Sequence, residues 1–263
     1  MNRRRFIKNI ATGLFVPLVA RAQPFSFNDQ PFMAQGGNGL LNSLVSYWKF
    51  DDPNQVIDSI GSNDWTLAGG TASQSGIINQ TVGFGASLNT GFSQTAASSL
   101  QGGAGVSFTI QCWIRLSGAQ NTNTSLFVRW DSATQAKQSY LLQLNGGNII
   151  WAMRTAGNTY PSITVAQPAD GVWTHLIAGF DSPGSRIFFQ MNAGTRQFAA
   201  STSDVQTSTA VLCAAGGTTI DGANDTINGK IDECAWWTRV LTTADVGILY
   251  GNGGGFALGS FTT

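Results

Sequence analysis

The chain has 263 residues, of which only 11% are charged, and its formal net charge is zero, with 14 basic and 14 acidic side chains. Five of the basic residues lie within the first 22; without that segment the balance is about −5, which excludes nucleic acid and an anionic membrane as expected partners. Glycine is abundant, with 32 residues, and hydroxyl and amide side chains fill much of the rest, as in many extracellular β proteins.

The chain opens on a basic stretch that holds Arg3, Arg4, Phe6, Ile7 and Lys8, followed by a short apolar run from Ile10 to Ala20. Ala20-Arg21-Ala22 then supplies an A-x-A cleavage pattern. Basic, apolar and small-residue regions in that order predict a secretory signal over residues 1–22. The paired arginines with Phe and Lys resemble the bacterial twin-arginine type. The apolar run is too short to span a bilayer, and no later segment is long and apolar enough. The expected location is therefore outside the cytoplasm: periplasm, cell surface or medium.

Residues 23–43, rich in Pro, Gly, Asn and Gln, are expected to be a linker or arm. Short β-type runs follow, separated by Gly, Asn, Asp and Ser clusters. They cover Leu44–Phe50, Val82–Leu88, Ser107–Leu116, Ser125–Trp130, Tyr140–Leu144, Asn148–Arg154, Trp173–Phe180, Arg186–Met191 and Gly229–Trp237. In Phe108–Ile114 the even positions are apolar, as a half-buried strand requires. Asn145-Gly146 predicts a tight hairpin, since it offers the positive φ angles such turns need. Asp181-Ser182-Pro183-Gly184 predicts a second turn. Thr242 and Asp245 form a capping-box pattern ahead of Val246, Leu249 and Tyr250, so a short helix is expected at Thr243–Tyr250. It should pack against a sheet edge or end. Many strands and one closing helix predict an all-β fold, a two-sheet antiparallel jelly-roll sandwich. The expected domain runs over residues 44–252, with 253–263 as a tail.

Five segments in order resemble the laminin-G-like, concanavalin A-like lectin/glucanase superfamily in its bacterial jelly-roll form. Leu44–Asp52 is similar to its opening strand, Phe108–Ile114 to its Trp-bearing strand, and Trp173–Asp181 to its Trp-x-His strand. Arg186–Gly194 stands where the family has an Asp-Gly turn, here replaced by Asn192-Ala193-Gly194. Asn228–Glu233 resembles the family's G-x-I-D-E segment. The resemblance spans most of residues 44–252 and implies the fold. It says little of function, because this fold hosts lectins, hydrolases and adhesion modules. It also implies a structural calcium between the first and last strands, for which Asp51 and Asp232 are the candidate ligands.

Catalysis finds little support in the residues. Sugar hydrolysis needs two carboxyl groups, yet Glu233 is the one glutamate, expected at a strand edge beside Asp232. The single histidine, His175, falls mid-strand and reads as structural. Of three cysteines, Cys112, Cys213 and Cys234, at least one must be unpaired; Cys213–Cys234 is the candidate disulfide. Trp48, Trp113, Trp173 and Trp236 or Trp237 are expected in the core. Trp130 and Trp151 in the middle strands, with Arg129, Asp131 and Arg154, are the candidate ligand-binding residues, because a flat ring can stack on a sugar while polar groups fix its hydroxyls. The expected function is a non-catalytic exported module that binds a glycan or an extracellular protein. The alternative is a structural or adhesion subunit of a cell-surface, matrix or virion assembly; a glycoside hydrolase ranks below both.

Overall fold

The computed structural model describes residues 39–52, 56–68, 73–85, 91–95, 98–120, 122–131, 134–208, 212–216 and 226–258. The expected signal segment lies outside them. The strands are β1 (Leu44–Trp48), β2 (Thr66–Ala68), β3 (Ser73–Ser75), β4 (Gln80–Phe84), β5 (Gly91–Thr95), β6 (Phe108–Leu116), β7 (Thr124–Arg129), β8 (Tyr140–Asn145), β9 (Asn148–Met153), β10 (Ser162–Ala166), β11 (Trp173–Asp181), β12 (Arg186–Met191), β13 (Gln197–Ala200), β14 (Leu212–Ala215) and β15 (Gly229–Trp237). One helix, α1 (Thr243–Tyr250), follows.

The strands form two antiparallel sheets. An eight-stranded sheet runs β13-β12-β11-β6-β15-β4-β3, with β1 also paired to β15. A seven-stranded sheet runs β10-β9-β8-β7-β14-β5-β2. This is the expected jelly-roll sandwich. Its core is built by alternation: Phe108, Ile110, Cys112 and Ile114 of β6 face Tyr140, Leu142, Ile149 and Trp151 of the opposite sheet. Phe108 stacks on Trp236 with centroids 4.5 Å apart. Trp173 departs from expectation, since it is only half-buried.

Local chemistry fixes the corners. Asn145 pairs with Asn148, so the two-residue turn is Gly146-Gly147, with φ of 57° and 79°. The positive angles therefore fall one residue later than Asn-Gly would place them. At the second expected turn, Ser185 N–H donates to the Ser182 carbonyl at 3.0 Å and Gly184 N–H to Asp181 Oδ1 at 3.1 Å. Asp58 organises the loop after β1. Its carboxylate accepts the N–H groups of Tyr47 at 3.0 Å, Ile60 at 3.1 Å and Asn63 at 3.1 Å. Burial alone raises its pKa, but the donors around it outweigh that and hold it below the ordinary value.

Both halves of the capping box form at Thr242 and Asp245, and Gly251 closes α1 in the left-handed region. Val246 and Leu249 are buried, in a second core with Ile177, Phe188, Ala235 and Trp237. The helix thus covers the outer face of the eight-stranded sheet, not an edge or end. The same core takes Leu40 and Leu258, and Trp237 Nε1 donates to the Leu40 carbonyl at 2.7 Å. Buried structure accordingly extends past residues 44 and 252 on both sides. Among the described residues no helix is long and apolar enough to cross a membrane.

Candidate functional site

The ends of β7, β8 and β9 bring three of the expected ligand-binding residues to one rim. Ser139 N–H donates to the Arg129 carbonyl at 3.0 Å, and Arg154 N–H to the Ser139 carbonyl at 2.7 Å. Trp130, Ser139 and Arg154 therefore stand side by side, one step beyond the regular ladder. Trp130 rests on a small outer-face cluster of Val128, Leu141 and Ala152. Tyr160, from the loop between β9 and β10, meets its ring edge-on at 5.4 Å. Tyr160 is 44% exposed; burial of its inner part pushes its pKa up to about 12, against the opposing pull of the Arg154 charge. Arg154 Nη2 donates to Asn158 Oδ1. Asp131 pairs with Lys137 at 3.2 Å. Hydroxyls line the adjoining loop: Gly157 N–H is held by Ser203 Oγ at 2.8 Å, and Thr159 and Thr202 share a hydrogen bond of 2.9 Å.

Two candidates do not reach this surface. Trp151 is 0% exposed and lies in the sandwich core, its Nε1 donating to the Gly179 carbonyl at 3.1 Å. Arg129 is 3% exposed and points inward, its guanidinium bonded to the carbonyls of Leu100 and Ser208. The reason is strand alternation. Arg129 and Trp130 are neighbours, and Trp151 and Arg154 are three apart, so the members of each pair face opposite sides. Tyr160 was not among the expected residues; as a loop residue before Pro161 it carries no periodic signal.

The acidic residues gather elsewhere. Asp232 and Glu233 lie buried in a bulge of β15, away from any strand edge. Asp232 Oδ2 accepts Ile77 N–H at 2.9 Å and Oδ1 accepts Glu233 N–H at 3.1 Å. Tyr47 donates its hydroxyl to Glu233 Oε2, while Oε1 has no hydrogen-bond partner among the described residues. Burial, then the neighbouring Glu233, push the Asp232 pKa up to about 9. Burial pushes Glu233 up to about 8. Asp51 is close enough to add to both shifts; its Oδ1 accepts Gln80 N–H at 3.1 Å. Beside it opens a cleft of about 140 Å³ between Lys49, Phe50, Asp52, Val56, Ile57 and Ser59. Asp51 and Asp232 thus share one corner, with backbone N–H groups already on Asp232. Among the described residues no group of three or more Asp, Glu, His or Cys is arranged to hold a metal. The corner gathers carboxyl groups, two of which keep their protons at neutral pH, but it does not offer a calcium ion a complete set of side-chain ligands.

His175 is buried beside Trp113, with Tyr250 over both, and bonds Gln111 through Nε2 at 3.0 Å. Burial lowers its pKa to about 3, so it is a neutral packing residue. Cys112 and Cys234 are free, buried thiols on neighbouring strands. The candidate partner of Cys234 was Cys213, whose side chain lies outside the described residues.

A model of the Concanavalin A-like lectin/glucanases superfamily matches residues 89–247, more than half of the chain. No curated protein matches. Among solved structures, the fold is similar to the binding domain of Paraclostridial Mosquitocidal Protein 1, at 17% identity and a TM-score of 0.60, covering 80% of this chain and 52% of that one. It is similar to the Botulinum neurotoxin serotype D ligand binding domain in complex with N-acetylneuraminic acid, at 14% identity and a TM-score of 0.62, covering 82% and 52%. It also resembles domain 4 of AbnA, a GH43 extracellular arabinanase from Geobacillus stearothermophilus, in complex with arabinotriose, at 20% identity and a TM-score of 0.54, covering 78% and 96%. The chain spans about half the length of the toxin domains it matches. At these identities the likeness is one of fold.

The acidic corner sets the pH response. Asp232 and Glu233 hold their protons more tightly folded than at their ordinary values of 3.8 and 4.5. The folded state therefore binds more protons than the unfolded chain above about pH 4, and stability falls as pH rises. The contribution is complete below the ordinary pKa values and lost above about 9. With a chelator present, thermal melts should show a lower melting temperature at pH 9 than at pH 5. Asp232→Asn, which cannot ionise, should flatten that slope.

Proposed function

The chain belongs to the Concanavalin A-like lectin/glucanases superfamily, and from that membership we propose that it is an exported, non-catalytic module that binds glycans at the Trp130–Tyr160–Arg154 rim. The observation that carries this reading is the pair of half-buried Trp130 and exposed Tyr160 beside a guanidinium and a hydroxyl-rich loop. An edge-to-face pair presents apolar ring surface for a sugar's C–H face, and the polar groups around it can fix hydroxyls. Structures of similar fold bound to N-acetylneuraminic acid and to arabinotriose are compatible with it. A non-catalytic role is supported by the acids and the base: the one glutamate is buried in a bulge, and the one histidine is buried, neutral and packed against Trp113.

Binding is tested on a glycan array followed by calorimetry on the hits. Trp130→Ala and Tyr160→Ala should each weaken binding by at least about tenfold, as truncation of a central aromatic does. Trp151 is no control, since its loss would open the core; Phe198→Ala, on the exposed edge strand β13, should leave affinity unchanged. A protein that binds no glycan on the array would return the molecule to the adhesion or structural class.

Calcium at the acidic corner is the second part of the proposal, supported by the gathering of Asp51, Asp232 and Glu233 there: a bound ion would draw the protons off Asp232 and Glu233 and take their place. A cation bound only by the folded state raises stability by mass action, by about 2.7 kcal/mol at one hundred times its dissociation constant. Melts at pH 7 should be several degrees higher in calcium than in chelator, with the difference lost in Asp232→Asn. Identical melts of the parent in both buffers would exclude a stabilising site.

Export is the third part, supported by Arg3, Arg4, Phe6, Ile7 and Lys8 and by the Ala20 and Ala22 pattern. Changing Arg3 and Arg4 together to Lys should hold the full chain in the cytoplasmic fraction. Undiminished periplasmic protein would show a different route.

A further inference from the structure

We infer that the rim selects glycans bearing a carboxylate, a uronate or a sialate, and that Arg154 is the residue that reads the acid group. The inference rests on the glycan-binding reading and narrows it. Arg154 lies at the end of β9, in the same row as Trp130 and within reach of the Tyr160 phenol. Its Nη2 is held by Asn158, which fixes the direction of the guanidinium plane. Its Nε is buried and donates to nothing among the described residues. That edge is closed to a ligand, so an acid group would meet the Nη edge of the guanidinium, whose paired N–H groups match the two oxygens of a carboxylate.

The charges around Arg154 are already committed. Asp131 is paired with Lys137 at 3.2 Å. Asp204, whose carbonyl accepts Ala156 N–H in the same loop, uses its carboxylate on Gly105 N–H at 3.0 Å and Ser182 Oγ at 2.7 Å. The other ion pairs, Arg186–Asp181 and Arg239–Asp245, belong to a turn and to the cap of α1. Among the described residues Arg154 therefore has no carboxylate within ion-pairing distance. It is a lone cation beside two rings, in a chain whose remainder after residue 22 carries more acidic than basic groups. The surrounding field repels anions in general, so selection of an acidic sugar has to come from a local fork that also stacks its ring.

The test is calorimetry on the purified full chain with four probes: trigalacturonate and its fully methyl-esterified form, and 3′-sialyllactose and lactose. Each acidic probe has a neutral counterpart, so the two pairs separate a uronate source from a sialate source. We expect one acidic probe to bind about tenfold tighter than its counterpart. Arg154→Gln should remove that preference and bring the acidic probe to the affinity of the neutral one. Trp130→Ala should weaken acidic and neutral probes alike. Arg154→Lys, which keeps the charge without the fork, should retain only part of the preference. A melt of each variant checks that the loop is intact. Equal binding of acidic and neutral probes, or a preference that survives Arg154→Gln, overturns the inference and leaves glycan binding standing. Absence of binding to all four probes, with neutral hits on a glycan array, also overturns it. Absence of any glycan binding, on the array as in solution, overturns both readings together.

Discussion

The strand β15 carries the constraint on which the rest of the structure depends. It pairs with β1, β4 and β6, and it is buried on both faces. One face must fill the sandwich and the other must meet helix α1. A regular period of two would set Ile231, Glu233, Ala235 and Trp237 on a single side. The bulge between Asp232 and Ala235, with Glu233 at φ 49°, inserts one residue and changes the parity. Ile231, Cys234 and Trp236 then face the sandwich core, while Ala235 and Trp237 face the helix. Placing a non-glycine residue in the left-handed region costs about 1 kcal/mol or more. Part of the compensation is visible: Gln111 Nε2 donates to the Glu233 carbonyl at 3.1 Å, and Tyr47 holds its carboxyl. The acidic corner is thus a consequence of the fold's need to change face within one strand. The strained backbone of Glu233 and the raised pKa values of Asp232 and Glu233 sit together for that reason.

Much of the fold was legible because burial on one side leaves a period in the sequence. All nine strand-like runs became strands, and the capping box closed as Thr242 and Asp245 suggested. The strands that went unread are short or polar. Ser73–Ser75 has no apolar residue, and Ser162–Ala166 and Gln197–Ala200 are edge strands whose side chains mostly face solvent. Nothing local distinguishes such segments from loops; they become strands because β4, β9 and β12 offer them unpaired N–H and C=O groups. The burial of Leu40 and Leu258 was equally hidden, since isolated leucines in Gly-rich segments show no period.

The candidate binding residues were only half legible, and the half that failed was decidable from parity. Trp130 and Arg154 reach one rim, whereas Arg129 and Trp151 turn inward. Residue types alone made all of them candidates. Counting along β9 assigns Ile149, Trp151 and Met153 to one face and Ile150, Ala152 and Arg154 to the other, so a shared face for Trp151 and Arg154 conflicts with a regular strand. Tyr160 needed the tertiary structure, because its place beside Trp130 depends on where the β9–β10 loop folds back. That loop is anchored by Thr155, Gly157 and Thr159 on their neighbours and on residues 202–204.

The covering of each sheet bears on where the proposed recognition can occur. The outer face of the eight-stranded sheet is occupied: α1 supplies Val246 and Leu249, and Tyr250 stacks over Trp113 and His175. A ligand there would have to displace a helix held by its capping box and by the Arg239–Asp245 pair at 2.8 Å. Among the described residues the seven-stranded sheet has no such cover over β7, β8 and β9. Its outer apolar cluster is three residues, Val128, Leu141 and Ala152, against which Trp130 and Ile150 pack. That cluster is too small to act as a core, yet large enough to hold one indole ring in place. Support from beneath fixes Trp130, and the loop fixes Tyr160 against it, so the pair loses little side-chain freedom when a ligand stacks on it. Rigid aromatic surface of this kind would suit the ring-by-ring recognition of a sugar proposed for this rim, which the helix leaves uncovered.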